Sequence, residues 1–155
     1  MDQSGKIAIT GASGLVGTAL VKRLKERGYE VLRLVRRPPS APDEVQWNPA
    51  EGTIDSAALA EISGAVHLAG DNVASGRWTE TKKASIRDSR VDGTLLLSRA
   101  LAELDPRPAV LVSASAIGYY GSTGDRSVDE SSPLGEGFLA SVCEAWEAAA
   151  EPARE

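Results

Sequence analysis

Short apolar runs alternate along the chain with stretches that have the spacing of amphipathic helices. The apolar runs, which predict buried strands, lie at residues 6–10, 30–37, 45–47, 65–70 and 109–115. Apolar residues recur every three or four positions at residues 14–27, 55–62, 79–104 and 138–151, which predict helices, the third with a break near Gly93. Because strand and helix alternate, the pattern predicts an α/β fold built on a doubly wound parallel sheet.

Residues 1–155 form one predicted domain, since no linker, repeat or low-complexity tract divides them. The helical stretch at 138–151 is not followed by another apolar run, whereas the alternation requires a sixth parallel strand. We therefore expect a sheet that is truncated before strand 6 and before the domain that would shape a substrate pocket.

Composition and charge argue against several classes of protein. The chain has a formal net charge of −5, and its basic residues form no cluster large enough for nucleic acid. With one cysteine, Cys143, and one histidine, His67, neither an intrachain disulfide nor a structural zinc site is expected. His67 lies within a predicted strand, so we expect a packed core residue. No membrane-spanning run or signal peptide is found, which predicts a soluble cytoplasmic protein.

The segment 9–17, "ITGASGLVG", places three evenly spaced glycines between the first predicted strand and the first predicted helix. Gly11 permits a tight turn, Gly14 lets a pyrophosphate approach the backbone, and Gly17 lets the helix pack closely on the sheet. The free N–H groups at the helix start would face the anion. A glycine loop without a ligand is the alternative. The residues predicted to hold the pyrophosphate are Gly11, Ala12, Ser13, Gly14, Leu15, Val16 and Gly17.

The end of the second predicted strand predicts which nucleotide binds. An acidic residue at this position suits the ribose hydroxyls of NAD, whereas cations suit the 2′-phosphate of NADP. The chain has Arg36 and Arg37 here and no carboxylate. Because guanidinium groups match phosphate geometry, NADP is the predicted cofactor and NAD is less favoured. A solvated pair of arginines is the alternative.

Further motifs follow the glycine segment: "HLAG" at 67–70, "DSRVDGT" at 88–94 and "SASAIGYYG" at 113–121. The series resembles an atypical branch of the extended short-chain dehydrogenase/reductase family, labelled nucleoside-diphosphate-sugar epimerase-like or epimerase/dehydratase-like. From about residue 6 onward the chain resembles the N-terminal part of that family. The resemblance implies a Rossmann-type sheet, a nicotinamide cofactor and a small-molecule substrate of unknown identity.

The resemblance also implies cofactor contacts beyond the glycine segment. Leu68, Ala69 and Gly70 would lie along the adenosine half of NADP. Arg90 takes the position of the family's usual asparagine, from which it could reach a phosphate or the nicotinamide ribose; a surface arginine is the alternative. Ser113, near the end of the last predicted strand, is also assigned to the cofactor site.

With one residue inserted before Gly121, the resemblance matches Ser115 to the family's catalytic serine and Tyr120 to its tyrosine, and proton transfer would fall to Ser115 with Tyr119 or Tyr120. Without the insertion, the serine position falls on Ala116. A tyrosine without a neighbouring cation keeps a pKa near 10 and is a poor base at neutral pH.

The family's last helix should carry a Tyr-x-x-x-Lys pair, in which the lysine lowers the pKa of the tyrosine. One register puts Phe138 and Val142 at these positions, and the next puts Leu139 and Cys143 there. We therefore expect an NADP-dependent oxidoreductase or epimerase without the usual pair. The alternative is a non-catalytic NADP-binding sensor or regulatory protein.

The predicted helices 79–104 and 138–151 suggest a homodimer, because members of the wider family often pair through them. The suitable apolar residues are Leu97, Leu101, Leu104 and Trp146. Packing within one chain would explain these residues equally well.

Overall fold

The computed structural model of the chain describes residues 5–154, which form six strands and three α-helices joined by loops and short 3-10 turns. The strands are β1 (Lys6–Thr10), β2 (Glu30–Val35), β3 (Glu44–Asn48), β4 (Thr53–Ile54), β5 (Gly64–His67) and β6 (Val110–Ser113). The helices are α1 (Leu15–Glu26), α2 (Glu80–Ala102) and α3 (Phe138–Ala148). The 3-10 turns are Ala57–Leu59, Ile117–Tyr120 and Glu151–Arg154.

β1 lies inside a sheet of order β4-β3-β2-β1-β5-β6. It pairs in parallel with β2 on one side and β5 on the other, and β3 and β6 extend the sheet in parallel. The strand order reverses at β1, so the crevice between the carboxyl ends of β1 and β5 is the switch point at which such sheets bind ligands. The predicted α/β fold with a Rossmann-type sheet is confirmed.

α2 begins at a capping residue and continues without interruption. Thr79 is extended, and its side-chain oxygen accepts a hydrogen bond from the Lys82 N–H at 3.2 Å. The predicted break near Gly93 is wrong. A Cβ at Gly93 would lie 3.5 Å from the Trp47 ring and 3.7 Å from the His67 ring, which are ordinary contact distances, so α2 lies directly on the sheet at this buried position.

Two local features differ from the sequence prediction. Thr53–Ile54 form the short strand β4, antiparallel to β3, after a turn in which Gly52 adopts a positive φ of 65°. The predicted weak helix at 55–62 is only the 3-10 turn Ala57–Leu59. A helix this short has little intrinsic stability, and burial of Leu59 in the core fixes the segment as a turn.

The core lies between the sheet and α2, with α3 packed against α2. Its buried members are Ala8, Leu32, Leu34, Val45, Trp47, Leu59, Ile62, Ala65, Leu97 and Leu101. Trp146 of α3 is also buried. Leu97, Leu101 and Trp146 are therefore buried within one chain and Leu104 is partly buried, and the homodimer stays a prediction.

Glu44, at the start of β3, is a buried carboxylate in an ionic cluster. Its side chain is 2% exposed, and Arg37 donates to its two oxygens at 2.6 and 2.8 Å. The Ser40 N–H donates to it at 2.8 Å. Arg33 lies 3.3 Å away and also binds Asp43. The Arg37 hydrogen bonds, followed by that of the Ser40 N–H, lower the pKa of Glu44 from 4.5 to about 2.

Glu44→Gln should weaken the dependence of folding stability on acid pH. Because the pKa of Glu44 is lower in the folded chain, its contribution to the free energy of unfolding is complete above pH 4.5 and is lost as the pH falls toward 2. Urea unfolding of both proteins across this pH range measures the difference. Glu30→Gln removes an exposed carboxylate and is the control. An identical pH slope for wild type and Glu44→Gln would contradict the prediction.

Candidate functional site

The turn after β1 is pressed against the end of β5. Gly11 has a positive φ of 66°, and a Cβ on it would lie 2.8 Å from the Leu68 carbonyl carbon and 2.9 Å from the Ala69 nitrogen. A Cβ on Gly17 would collide with the Gly11 carbonyl oxygen. Two of the three predicted glycines are therefore required by the close approach of β1, β5 and α1.

The first turn of α1 offers backbone donors without a competing side chain. Gly14 is its N-cap, has no side-chain cap, and donates its own N–H to the Gly11 carbonyl at 3.0 Å. No acidic residue lies in the first turn. Leu15 is 93% exposed and Val16 is 64% exposed, so the helix start is open to solvent. Unpaired N–H groups and the positive end of the helix dipole fit a pyrophosphate here.

The Thr10 hydroxyl joins the ends of β1 and β5. It accepts hydrogen bonds from the N–H groups of Leu68 at 3.1 Å and Ala69 at 3.2 Å. With both lone pairs used, its proton is donated to His67 Nδ1 at 2.7 Å. The crevice floor is therefore held by one buried hydroxyl.

His67 is a neutral core residue. Its side chain is fully buried, and burial lowers its pKa from 6.5 to about 4. Because Nδ1 accepts the Thr10 proton, the ring proton lies on Nε2, which has no hydrogen-bond partner within residues 5–154. The ring meets Trp47 edge-on at 5.9 Å between centroids. This agrees with its prediction as a packed residue rather than a base.

Arg36 and Arg37 follow β2 directly, but they differ in what they bind. Arg36 is exposed, and its side chain has no hydrogen bond or ion pair in the part of the chain that the structure describes. Arg37 is bound to Glu44, Ser40 and the Pro38 carbonyl. Glu44 is not evident from the sequence as the partner of Arg37, because that carboxylate lies at the start of the next strand. Only Arg36 therefore keeps a guanidinium free for a phosphate.

Arg90 is half-buried behind the end of β5. Its guanidinium donates to the Asp71 carbonyl at 3.0 Å and the Ile86 carbonyl at 3.1 Å, and it lies 5.0 Å from the Trp146 ring centroid. A Cβ on Gly70 would lie 3.2 Å from it. Burial lowers the pKa of Arg90 from its usual value. The side chain therefore supports the backbone of the predicted cofactor segment from below.

The loop between β5 and α2 is held by a polar cluster that sequence analysis did not identify. The Asp71 carboxylate accepts from Lys82 Nζ and from the Ser85 hydroxyl, each at 2.8 Å. Lys82 also donates to the Ser75 hydroxyl at 2.7 Å. The hydrogen bond from Lys82, followed by that from Ser85, lowers the pKa of Asp71. The cluster fixes the loop at the carboxyl end of β5.

The predicted catalytic residues follow the end of β6. The Ser115 hydroxyl donates to Glu147 Oε1 of α3 at 2.5 Å, and both residues are exposed. The Tyr120 ring meets the Tyr119 ring edge-on at 5.3 Å between centroids. Desolvation, followed by the charge of Glu130, raises the pKa of Tyr120 above 10. Ser113 pairs with His67 across the sheet and donates weakly to the Ala114 carbonyl at 3.4 Å.

α3 presents neither a phenol nor a cation at the positions of the usual pair. Val142 and Cys143 are buried, and Phe138 meets the Trp78 ring at 5.7 Å. The Cys143 thiol donates to the Ala116 carbonyl at 3.6 Å, and its pKa is raised chiefly by burial. Neither register of the sequence alignment therefore supplies the proton-transfer groups.

Within 5–154, no three His, Cys, Asp or Glu side chains are grouped so that they could hold a metal ion. None of the described helices has the length and apolar character needed to span a membrane.

Comparison with known proteins gives consistent matches. A sequence model of the NAD dependent epimerase/dehydratase family matches residues 7–141. Epimerase family protein Mb2239 of Mycobacterium bovis is 47% identical over 149 residues, which are 96% of this chain and 49% of that protein. The nucleoside-diphosphate sugar epimerase from Corynebacterium glutamicum has a TM-score of 0.83 and 38% identity, covering 98% of this chain and 31% of that chain. Human epimerase family protein SDR39U1, solved with NADPH, has a TM-score of 0.80 and 32% identity. This match covers 94% of this chain and 48% of the human chain.

The chain spans about half the length of the curated relatives that it matches. The family match contains the glycine segment and the ends of β2, β5 and β6. It stops at residue 141, before the second half of α3.

Thr10→Val should destabilise the fold while keeping the shape of the side chain. Loss of the hydroxyl leaves two partly buried N–H groups and one buried ring nitrogen without their partner, which should cost about 2–4 kcal/mol in the free energy of unfolding. Chemical denaturation measures this difference. Thr10→Ser keeps the hydroxyl and should lose much less. Equal losses in the free energy of unfolding for Thr10→Val and Thr10→Ser would show that these hydrogen bonds do not stabilise the fold.

Proposed function

The chain belongs to the NAD dependent epimerase/dehydratase family, and we propose that it forms the NADP-binding part of an oxidoreductase or epimerase-like enzyme. The observation that carries the proposal is the crevice between β1 and β5. There the Gly11 turn lies on the backbone of Leu68 and Ala69, below the uncapped start of α1. Backbone donors and the absence of side chains at this point suit a dinucleotide pyrophosphate.

Each part of the cofactor has a proposed set of partners in this chain. The α1 start, residues 11–17, would bind the pyrophosphate through backbone N–H groups. Leu68, Ala69 and Gly70 would line the adenosine half. Ser113 and Arg90 would lie toward the nicotinamide half, Arg90 acting through the backbone that it supports. When bound, the nicotinamide supplies hydride chemistry.

NADP is favoured over NAD by the free guanidinium of Arg36. A 2′-phosphate next to the end of β2 would pair with this exposed cation, whereas no carboxylate is available there for the ribose hydroxyls of NAD. Glu44 is already bound to Arg37 and is buried. The human relative was solved with NADPH, which supports the same choice.

The proposed substrate is a small molecule with a secondary alcohol or a carbonyl group. The Corynebacterium relative is named a nucleoside-diphosphate sugar epimerase, which makes a nucleotide sugar the first substrate to test. Ser115 is the proposed hydrogen-bond partner of the reacting oxygen. Tyr120 can donate a hydrogen bond but is a poor base, because its pKa is raised.

A second candidate is a non-catalytic NADP-binding sensor or regulatory protein. It is favoured by α3, which contains neither tyrosine nor lysine. The presence of a serine with a carboxylate partner at the end of β6 favours the enzyme instead.

Arg36→Asp should reverse the cofactor preference. The new carboxylate would repel a 2′-phosphate and accept ribose hydroxyls, so the Kd for NADP should rise at least about tenfold relative to that for NAD. Isothermal titration of both nucleotides measures the ratio. Arg107→Asp changes an exposed arginine near the amino end of β6 and is the control. NAD binding as tightly as NADP in the wild type would contradict the NADP assignment.

Ser115→Ala and Tyr120→Phe should separate the two candidate functions. For an enzyme, we expect both variants to lose turnover, Ser115→Ala by about 100-fold or more, while NADP binding is unchanged. The assay measures NADP reduction with simple secondary alcohols and UDP-glucose, and NADPH oxidation with aldehydes and ketones. Tight NADP binding without turnover of any of these compounds by the wild type would favour the sensor.

A further inference from the structure

We infer that Glu147 is the proton acceptor behind Ser115, an inference that rests on the proposed function as an oxidoreductase or epimerase. The Ser115 hydroxyl is the donor and Glu147 Oε1 the acceptor, 2.5 Å apart. Both side chains are exposed, so a substrate can reach the serine. A serine that donates to a carboxylate is oriented to take a proton from a third group through its free lone pair.

The position of Glu147 follows from one face of α3. Leu139, Cys143 and Glu147 are spaced by four residues and therefore lie on the same side of the helix. They contact the segment after β6, and residues later in α3 contact residues earlier in that segment. Leu139 lies against Gly118, Cys143 against the Ala116 carbonyl, and Glu147 against Ser115.

This face of α3 includes the positions of the missing pair. In the register with Leu139 and Cys143, the first two positions have no group that ionises at neutral pH, and burial raises the pKa of Cys143 further. The next position on the same face, one helical turn later, holds the carboxylate. The ionisable group is therefore displaced along α3 toward Ser115.

Three other polar side chains of this region, those of Tyr120, Arg90 and His67, are not suited to accept the proton. The pKa of Tyr120 is raised, so its phenol stays protonated at neutral pH. Arg90 is a cation bound to backbone carbonyls, and His67 is buried within β5 with Nδ1 bound to Thr10. Glu147 is left as the carboxylate in direct contact with the serine.

A bound, oxidised nicotinamide would accept the hydride that the alcohol carbon of the substrate loses, and the C–O bond would become a carbonyl. The alcohol proton passes to Ser115 Oγ while the Ser115 proton passes to the Glu147 carboxylate. In an epimerisation, the reduced nicotinamide would return the hydride to the opposite face of the carbonyl carbon, while Ser115 would donate a proton to the oxygen and receive one from Glu147. Glu147 acts through Ser115 and is therefore a positioning and proton-accepting residue.

Glu147→Gln tests this inference in the protein at its full natural length. For the alcohol or nucleotide sugar that wild type oxidises in the assay above, kcat should fall about 100-fold or more. KM and the Kd for NADP should stay within about twofold, because no binding contact is removed. Glu144→Gln changes an exposed carboxylate on the same helix and should leave kcat unchanged.

A rescue experiment separates proton acceptance from a structural role. Formate added to Glu147→Ala should restore part of kcat in proportion to its concentration and should not affect wild type. Glu147→Asp, which keeps a carboxylate on a shorter side chain, should retain more activity than Glu147→Gln at an equal melting temperature. If Glu147→Gln fails to fold, Glu147→Asp takes its place in the comparison with wild type.

The hydrogen bond itself can be measured without cofactor. In protein labelled with 13C at the glutamate carboxyl carbons, the Glu147 resonance is the one that Glu147→Gln removes. Ser115→Ala should shift it, whereas Ser141→Ala, a change on the same helix, should not.

The outcomes distinguish the two proposals. Full kcat in Glu147→Gln, or no rescue by formate, would overturn the proton-accepting role and leave the proposed enzyme standing. An unchanged chemical shift of Glu147 in Ser115→Ala would show that the hydrogen bond between the two residues is absent. If wild type binds no NADP or oxidises no test compound, the proposed function fails, and the inference fails with it.

Discussion

The close approach of β1 and β5 is the constraint on which the rest of the structure depends. Gly11 must have no side chain because the backbone of Leu68 and Ala69 occupies the space of its Cβ. The Thr10 hydroxyl bonds that same backbone, and its proton goes to a buried neutral histidine. A single polar group thus fixes the floor of the crevice. The uncapped start of α1 is held above it, because Gly17 also has no room for a side chain.

Much of this could be predicted from the sequence, because it depends on local pattern. The strand runs, the helix spacing and the glycines between β1 and α1 are properties of neighbouring residues, and the parallel arrangement of the strands follows from their alternation with helices. The short strand β4 and the continuity of α2 through Gly93 were not predicted. Both depend on contacts between residues far apart in sequence, such as Gly93 with Trp47.

The same distinction applies to the charges. Arg36 and Arg37 are adjacent and looked equivalent, but Glu44 lies seven residues beyond Arg37 and binds only that one. A carboxylate that is 2% exposed keeps its charge because Arg37 and the Ser40 N–H compensate the loss of water. Arg37 is thereby used in holding the loop after β2. The consequence for recognition is that a phosphate near this loop would meet one free cation rather than two.

The absence of a tyrosine and a lysine from α3 is the strongest argument against catalysis. The fold weakens this argument, because another residue of α3 can face the same segment of the chain. A proton-accepting group has to face the end of β6; it need not occupy a particular turn of the helix. Because α3 runs along the segment after β6, residues four apart on its inner face meet successive parts of that segment. Glu147 therefore contacts Ser115 from the turn after Cys143, which lies outside the Tyr-x-x-x-Lys positions. A carboxylate also needs no neighbouring cation to be charged at neutral pH, whereas a tyrosine does. α3 therefore offers neither tyrosine nor lysine for proton transfer, and the carboxylate that we propose in their place lies on its inner face.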